Sequence, residues 1–366
     1  MRETSLAERL IAYETSTLEG MRAAAEFVKG WLEAREVEVA DFVHNGRPVL
    51  AATVGAEDGP TVVLHGHLDV VPAPPAQFRP RAEGDRLIGR GAYDMKGALA
   101  AMMCATRDLA AERRARVNFL CVSDEESDDA GVRASDVLVE RGYQGDFAIT
   151  GEPTELRIGV QAKGVLGVRL EVAGKAAHGS TPWLGDNAVV KAVEAYEQVR
   201  ALPFARESSE LFDRPSVSLG RIAGGDALNK VPDRCVVDID IRYLPGQDPG
   251  EIFAAIETLP DVAASELIHR APVTVDASNA FVRTLAEVVA RGTHADRVSV
   301  GRDGASDAVS FVDAGTPAVE FGPRGGGHHG PDEWVSISSL ERYRRALVEF
   351  VRLVPDRIGR RRLHVA

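Results

Sequence analysis

Thiols are scarce in this 366-residue chain: three cysteines, Cys104, Cys121 and Cys235, lie far apart, and no Cys-x-x-Cys pair occurs. An odd, dispersed set supplies neither a disulfide framework nor a thiolate zinc knuckle. Cys104 and Cys121 sit in apolar runs and read as small core residues. Long apolar runs are missing as well. None approaches membrane-spanning length, and Arg2, Glu3, Glu8 and Arg9 interrupt any N-terminal signal core. Positive charge is in deficit, with a net charge of −12, which argues against nucleic acid and against an anionic membrane surface as partners. The basic tail Arg357 to Arg362 is the exception and reads as a solvated end. No internal repeat is found, and low complexity is confined to Gly325-Gly326-Gly327. The expectation from these absences is a reducing, cytoplasmic setting.

What is present is a well-stocked core, at 45% apolar and 27% charged residues, in a chain long enough for one large or two ordinary domains. Ser5-Leu6-Ala7-Glu8 has the form of a capping box opening a first helix. Leu18 to Ala34 predicts a second helix, with Met21, Ala25, Val28 and Leu32 on one stripe. Strands and helices then alternate to about Gly159, including a helix over Gly97 to Ala111, which is the pattern of an α/β layer fold. After Lys163 the order changes. Val165 to Val172 reads as strand, Asn187 to Arg200 as helix, Ser216 to Ala223 and Cys235 to Tyr243 as strands. Pro249 to Leu259 reads as helix and Val262 to His269 as strand. That β-α-β-β-α-β order is ferredoxin-like. The α/β pattern resumes at Phe281 to Arg291. The division expected is a large domain of residues 1–163 and 276–366, interrupted by a small α+β domain of residues 164–275.

Four apolar runs stop on residues that ligate metals. Thr61 to Leu64 precedes His65-Gly66-His67-Leu68-Asp69, and Val117 to Val122 precedes Ser123-Asp124-Glu125-Glu126. Asp146 to Ile149 precedes Thr150-Gly151-Glu152-Pro153, and Pro317 to Phe321 precedes Gly325-Gly326-Gly327-His328-His329. In open α/β sheets, function gathers beyond the carboxyl ends of the strands. Each residue also has a plainer reading. His67 and Asp69, two apart on one side of an extended stretch, could be a loop histidine paired to its neighbour. Asp94 could be a helix N-cap, Glu125 and Glu126 part of a solvated acidic run Asp124 to Asp129, and Glu152 an ordinary turn residue before Pro153. One of His328 and His329 is surplus. Together, at one sheet edge, they supply histidines and carboxylates for two divalent cations with one glutamate left over. Ligation without thiolate suits Zn²⁺ first, with Co²⁺ or Mn²⁺ as alternatives, and two ions about 3.5–4 Å apart would serve hydrolysis of an amide or ester.

These residues lie in longer stretches: GHLDVVP (Gly66 to Pro72), GRGAYDMKG (Gly89 to Gly97), SDEES (Ser123 to Ser127), TGEPT (Thr150 to Thr154) and AAHGSTPWLGDNA (Ala176 to Ala188). ALNKVPDRC (Ala227 to Cys235), DIDIRYLPG (Asp238 to Gly246), GASDA (Gly304 to Ala308) and EFGPRGGGHHGPDE (Glu320 to Glu333) follow in order. With them the chain resembles the co-catalytic zinc metallopeptidase family that includes succinyl-diaminopimelate desuccinylase, acetylornithine deacetylase, aminoacylase and glutamate carboxypeptidase. The resemblance implies a zinc-exopeptidase-like mixed-sheet catalytic domain with an inserted ferredoxin-like α+β lid that also dimerises. It implies two divalent metal ions, with Asp94 bridging, His67 and Glu152 on one, and Glu126 and His329 on the other. His329 is taken because the family's ligand stands four before a Glu, here Glu333. Asp69 would orient His67, and Glu125 would be the general base. His178 would reach the substrate from a partner subunit, and Asn229 and Arg242 would bind substrate. His178 and Asn229 could equally be turn residues, and Arg242 could pair along its strand with Asp238 and Asp240. The implied substrate is an N-acyl amino acid, N-succinyl-L,L-diaminopimelate first. Acetylornithine and dipeptides or carboxypeptidase substrates are alternatives, and a non-catalytic binding member is a different-class reading that the retained Glu125 and Asp94 disfavour. Lys163 and Arg324 are candidates for a succinyl tail. Tyr93, where the family has a small residue, and a Trp-free stretch Ala73 to Pro80 depart from the pattern near the pocket.

Overall fold

The computed structural model describes residues 2–127, 131–293 and 299–358; Asp128, Asp129 and Arg360 to Arg362 of the charged runs noted above lie outside them. The chain divides into two compact units. The first comprises residues 1–160, 275–300 and 306–366, the second residues 161–274 and 301–305. The segment 301–305 therefore groups with the small unit, not the large one. Lys163 explains this: its backbone N–H donates to the Arg302 carbonyl at 3.1 Å and its ammonium pairs with Asp303 at 2.7 Å.

In the first unit the runs identified in the sequence are strands Thr61–His67, Arg116–Val122, Phe147–Thr150 and Ala318–Phe321. Arg116–Val122, Thr61–His67, Phe147–Thr150 and Ala318–Phe321 lie side by side in that order, each pair parallel. Val62, Val63, Leu64, Val117, Phe119, Phe147 and Ile149 are wholly buried. Burial on both faces is why these segments read as unbroken apolar runs. Antiparallel strands Arg47–Gly55 and Val39–His44 extend one side, and Ile158 and Gly159 add antiparallel pairing to Ala318–Phe321 on the other, so the sheet is mixed. Parallel order sends four carboxyl ends to one edge, which brings the segments after His67, Val122, Thr150 and Phe321 together.

Helices Leu18–Glu33 and Gly97–Leu109 form within the segments expected, Leu18 to Ala34 and Gly97 to Ala111. The first helix does not open at Ser5. It spans Glu3–Ile11 with Arg2 at its N-cap and no side-chain cap, and Ser5 lies within it. Buried Leu6, Ala7, Leu10 and Ile11 position this helix, and Glu3 sits in its first turn, where a carboxylate complements the dipole.

The second unit has an antiparallel sheet in the order Ser216–Gly224, Arg234–Tyr243, Gly164–Ala173, Val262–Arg270. With helices Ala188–Ala201 and Pro249–Glu257 this is a ferredoxin-like arrangement. Along Arg234–Tyr243, Cys235, Val237, Ile239, Ile241 and Tyr243 alternate into the core with Ala192, Ala195, Val199 and Ile252. Asp238, Asp240 and Arg242 occupy the opposite, polar face, where Arg169 grips Asp238 with two bonds of 2.7 and 2.9 Å.

Candidate metal centre

His67 ends its strand wholly buried. Its Nδ1 donates to the backbone carbonyl of Asp69 at 3.0 Å, with Asp69 Oδ1 at 3.6 Å. The bond that turns this ring thus goes to the carbonyl. The Asp69 carboxylate does a further job: its Oδ2 accepts from the backbone N–H of Glu126 at 2.9 Å and ties two strand ends together. His67 Nε2 is thereby directed at Asp94 Oδ1, 2.9 Å away, with Glu152 Oε1 at 3.8 Å.

Asp94 is not a helix cap. It has extended backbone angles (φ −119°, ψ 100°) ahead of the helix that begins at Gly97, and its peptide bond to Met95 is cis. The backbone N–H groups of Tyr93 and Asp94 donate to Glu333 Oε1 at 2.9 and 3.1 Å, and Arg90 donates to Glu333 Oε2 at 2.6 Å. Glu333, buried like Arg90, fixes the backbone under Asp94. From the opposite side, His328 and His329 both direct Nε2 at Asp94 Oδ2; His329 lies at 3.3 Å and reaches Glu126 Oε1 at 3.0 Å. Donor atoms fall into three sets, each within 4.8 Å: His67, Asp94 and Glu152; His67, Glu125 and Glu126; Asp94, His328 and His329.

The cluster is crowded with acid. Burial, and then the neighbouring Asp94, hold the Glu152 carboxyl well above the usual range. Glu125 is pushed up to about 8 by burial, with Asp307, Asp94 and Glu126 adding repulsion against the attraction of His67. Burial would also raise Asp94, but hydrogen bonds from His328, His329 and His67 hold it well below the ordinary value. His329 in turn is raised to about 10 by Asp94 and Glu126. Carboxylates that burial drives toward protonation, aimed with imidazole nitrogens at one point, are a donor set short of positive charge. Divalent cations of the His/carboxylate type fit it.

The profile of Peptidase family M20/M25/M40 matches residues 63–353. The chain belongs to that family. A succinyl-diaminopimelate desuccinylase of Leptothrix cholodnii is 31% identical over 94% of this chain and 97% of its own. A putative LysW-lysine/LysW-ornithine hydrolase of Pyrobaculum aerophilum is 32% identical over 83% of this chain and 86% of its own. Among solved structures, the M20 family metallo-carboxypeptidase Sso-CP2 of Sulfolobus solfataricus superposes with a TM-score of 0.79, covering 97% of this chain and all of that one, at 20% identity. The last likeness confirms the fold. As an M20 member the chain is a metal-dependent hydrolase of amide bonds.

The M20 candidates in the second unit have a different character. His178 is exposed; its Nδ1 accepts from the Ser180 backbone N–H at 3.2 Å and lies 2.8 Å from Ser180 Oγ, which leaves the ring proton for Nε2. Its loop pairs with that of Asn229, whose carbonyl accepts from Gly179 at 2.6 Å. Arg242 spends its fork on Asp240, at 2.8 and 2.9 Å. Lys163 is unsuited to hold a succinyl tail: it is buried, with its ammonium shared between Asp303 and the Arg214 carbonyl at 2.6 Å. Arg324 is exposed and enters no ion pair among the described residues.

Several supports escaped the sequence reading. The sequence marks Arg90 as part of the GRGAYDMKG stretch and Glu333 by its spacing from His329, and gives no sign that the two pair, as they do at 2.6 Å. Tyr93 donates its hydroxyl to Glu155 at 2.6 Å, and the same oxygen accepts from the Gly325 N–H at 3.0 Å. Any side chain at Gly325 would begin 2.4 Å from the Tyr93 ring, so the bulky tyrosine and the glycine loop go together. Buried His65, lowered to about 4 by burial, hydrogen-bonds Ser135 at 2.9 Å, which donates to Asp307 at 2.8 Å.

Proposed function

We propose that this cluster is a two-cation centre that hydrolyses the amide of an N-acylated amino acid, with N-succinyl-L,L-diaminopimelate as substrate. The observation that carries the reading is Asp94, whose two oxygens face different imidazoles: His67, with Glu152 3.8 Å from its Nε2, at Oδ1, and His329, which also reaches Glu126, at Oδ2. Asp94 would bridge, His67 and Glu152 would hold one ion, and Glu126 and His329 the other. Zn²⁺ suits these donors best, with Co²⁺ or Mn²⁺ as alternatives. Two such ions would supply a water of lowered pKa and a polarised carbonyl.

The chain's own residues do the rest. Asp69 holds His67 and the Glu126 backbone in register. Glu125, whose carboxylate lies within 4.8 Å of donor atoms of His67 and Glu126 but is left over once the five ligands are assigned, takes the proton from the attacking water and hands it to the leaving amine. His178, with its proton on Nε2, donates to the developing oxyanion, a task for a donor placed in advance. Arg242 exchanges Asp240 for the substrate α-carboxylate, which its planar fork matches. Asn229, on the loop paired with His178, contacts substrate beside it, and Arg324 is the cation proposed for the succinyl tail. His178 acts from the second copy of a homodimer built through the small unit, whose exposed Trp183, Leu184, Val190, Val193 and Leu228 support such a contact. Buried free thiols at Cys104, Cys121 and Cys235 suit a reducing cytoplasm, and the acidic chain is assigned no nucleic-acid or membrane partner.

The test is kcat/KM on N-succinyl-L,L-diaminopimelate, N-acetylornithine and dipeptides. The succinyl substrate should lead by a wide margin, since a site built to pair a charged group can reject an analogue lacking it by roughly 10⁴-fold. Arg242→Ala should depress the succinyl and acetyl substrates alike. A preference for acetylornithine or a dipeptide overturns the acyl assignment and leaves the hydrolase reading standing.

A further inference from the structure

We propose that His328 is a second imidazole donor on the Oδ2 side of Asp94, so that this half of the centre holds its cation through two histidines and the other half through one. The inference rests on the metal-centre reading and adds to it a residue that the ligand assignment had set aside.

Adjacent residues in extended chain point to opposite faces, so two neighbouring rings converge only where the backbone turns sharply. Here it does. Gly330 N–H donates to the Gly327 carbonyl at 2.7 Å, and Gly327 and His329 adopt left-handed φ of 72° and 57°. A Cβ on Gly327 would meet the Asp332 carbonyl oxygen at 2.7 Å, so glycine is required on space as well as on φ. The imidazole centroids end 4.3 Å apart at 64°, with both Nε2 atoms on Asp94 Oδ2.

The turn is held on both sides. Arg90, anchored on Glu333, donates to the His329 and Gly330 carbonyls at 2.9 and 3.2 Å. The His328 ring meets the edge of Tyr93, with centroids 6.3 Å apart at 82°, and Tyr93 is itself moored to Glu155. His328 is thus placed by the same framework that places Asp94. The Oδ2 side then offers two imidazoles with Asp94 and Glu126, the Oδ1 side one imidazole with Asp94 and Glu152. Imidazole favours Zn²⁺ and Co²⁺, whereas carboxylate and water suit Mn²⁺ and Mg²⁺. The Oδ2 side should therefore fill first with Co²⁺ and discriminate more strongly against Mn²⁺.

The test is Co²⁺ titration of the full chain after chelator treatment, followed by visible absorption and calorimetry. Wild type should show two binding steps. His328→Ala should weaken the tighter step by about tenfold or more, at least the loss typical of groups that only orient a ligand, and should change its visible bands while leaving the weaker step in place. His329→Ala should act on the same step. His328→Gln keeps N–H donors for Asp94 but no imidazole, so it should behave like the alanine variant. Rescue by Gln, or a silent His328→Ala beside a normal wild type, overturns the inference and reduces His328 to a hydrogen-bond partner. A wild type that binds no Co²⁺ instead overturns the metal-centre reading beneath it.

Discussion

The two units carry their candidate residues in opposite ways. In the first, His67, Asp94, Glu333 and Arg90 are buried and each is held by at least one other of the set. Charge is concentrated there at a cost in desolvation, and each part is over-determined. In the second, His178 and Asn229 are exposed, and Arg242 sits half-buried against an acid two residues away on its own strand. A fold spends buried charge where geometry must be kept and leaves surface residues to ordinary pairing. The first arrangement is therefore fixed by contacts between distant segments, while in the second the side chains of His178 and Arg242 are held by residues two positions away.

Substitutions can break or sharpen that contrast. The largest effect is expected from Glu125→Gln: metal content near wild type, with turnover lowered by about 10²–10⁴-fold, as for loss of a general base. Metal analysis beside steady-state kinetics checks it. A variant that loses metal yet works at saturation would mean that Glu125 and Glu126 have exchanged roles. Next, Glu333→Gln leaves Arg90 buried without its counter-charge and should cost about 3–5 kcal/mol in denaturant unfolding. His178→Ala should lower kcat by about 10²–10³-fold, as for removal of an oxyanion donor. Mixing it with Glu125→Gln should restore activity through hybrid dimers, one of whose sites is intact. Verified subunit exchange without recovery would confine the histidine to its own chain. The smallest effect should come from Asp240→Asn, which frees Arg242 at a cost within about 1 kcal/mol. A loss as large as that of Glu333→Gln would erase the distinction between the units.

The legible part of this molecule was the part with local pattern. The parallel strands showed as apolar runs because both faces are buried, and the small unit showed through its order of helices and strands. The ligand segments were visible because they follow those strands. What stayed hidden depends on contacts between distant segments. Arg90 and Glu333 are 243 positions apart, and neither has a neighbour that announces the other. Tyr93 could be seen to depart from the family pattern, but its mooring on Glu155 and the glycine it requires at 325 could not. The convergence of His328 with His329 depends on a left-handed backbone at His329, a conformation that residue type alone does not dictate. Asp69 shows the same limit at short range: the sequence offers its carboxylate as the partner of His67, whereas its backbone carbonyl accepts the ring N–H. Sequence order alone places segment 301–305 with the larger unit, because nothing in its composition records the bond from Lys163.

The central claim is that the acids and imidazoles around Asp94 exist to hold cations that cleave an amide. Its most direct measurement follows hydrolysis of N-succinyl-L,L-diaminopimelate by the full chain after chelator treatment and again during stepwise return of Zn²⁺. The account predicts no turnover without metal, with activity rising as ions bind and saturating at two per chain. Turnover that survives complete metal removal, or a fully loaded protein that cleaves neither this substrate nor any other N-acyl amino acid or dipeptide, would contradict it.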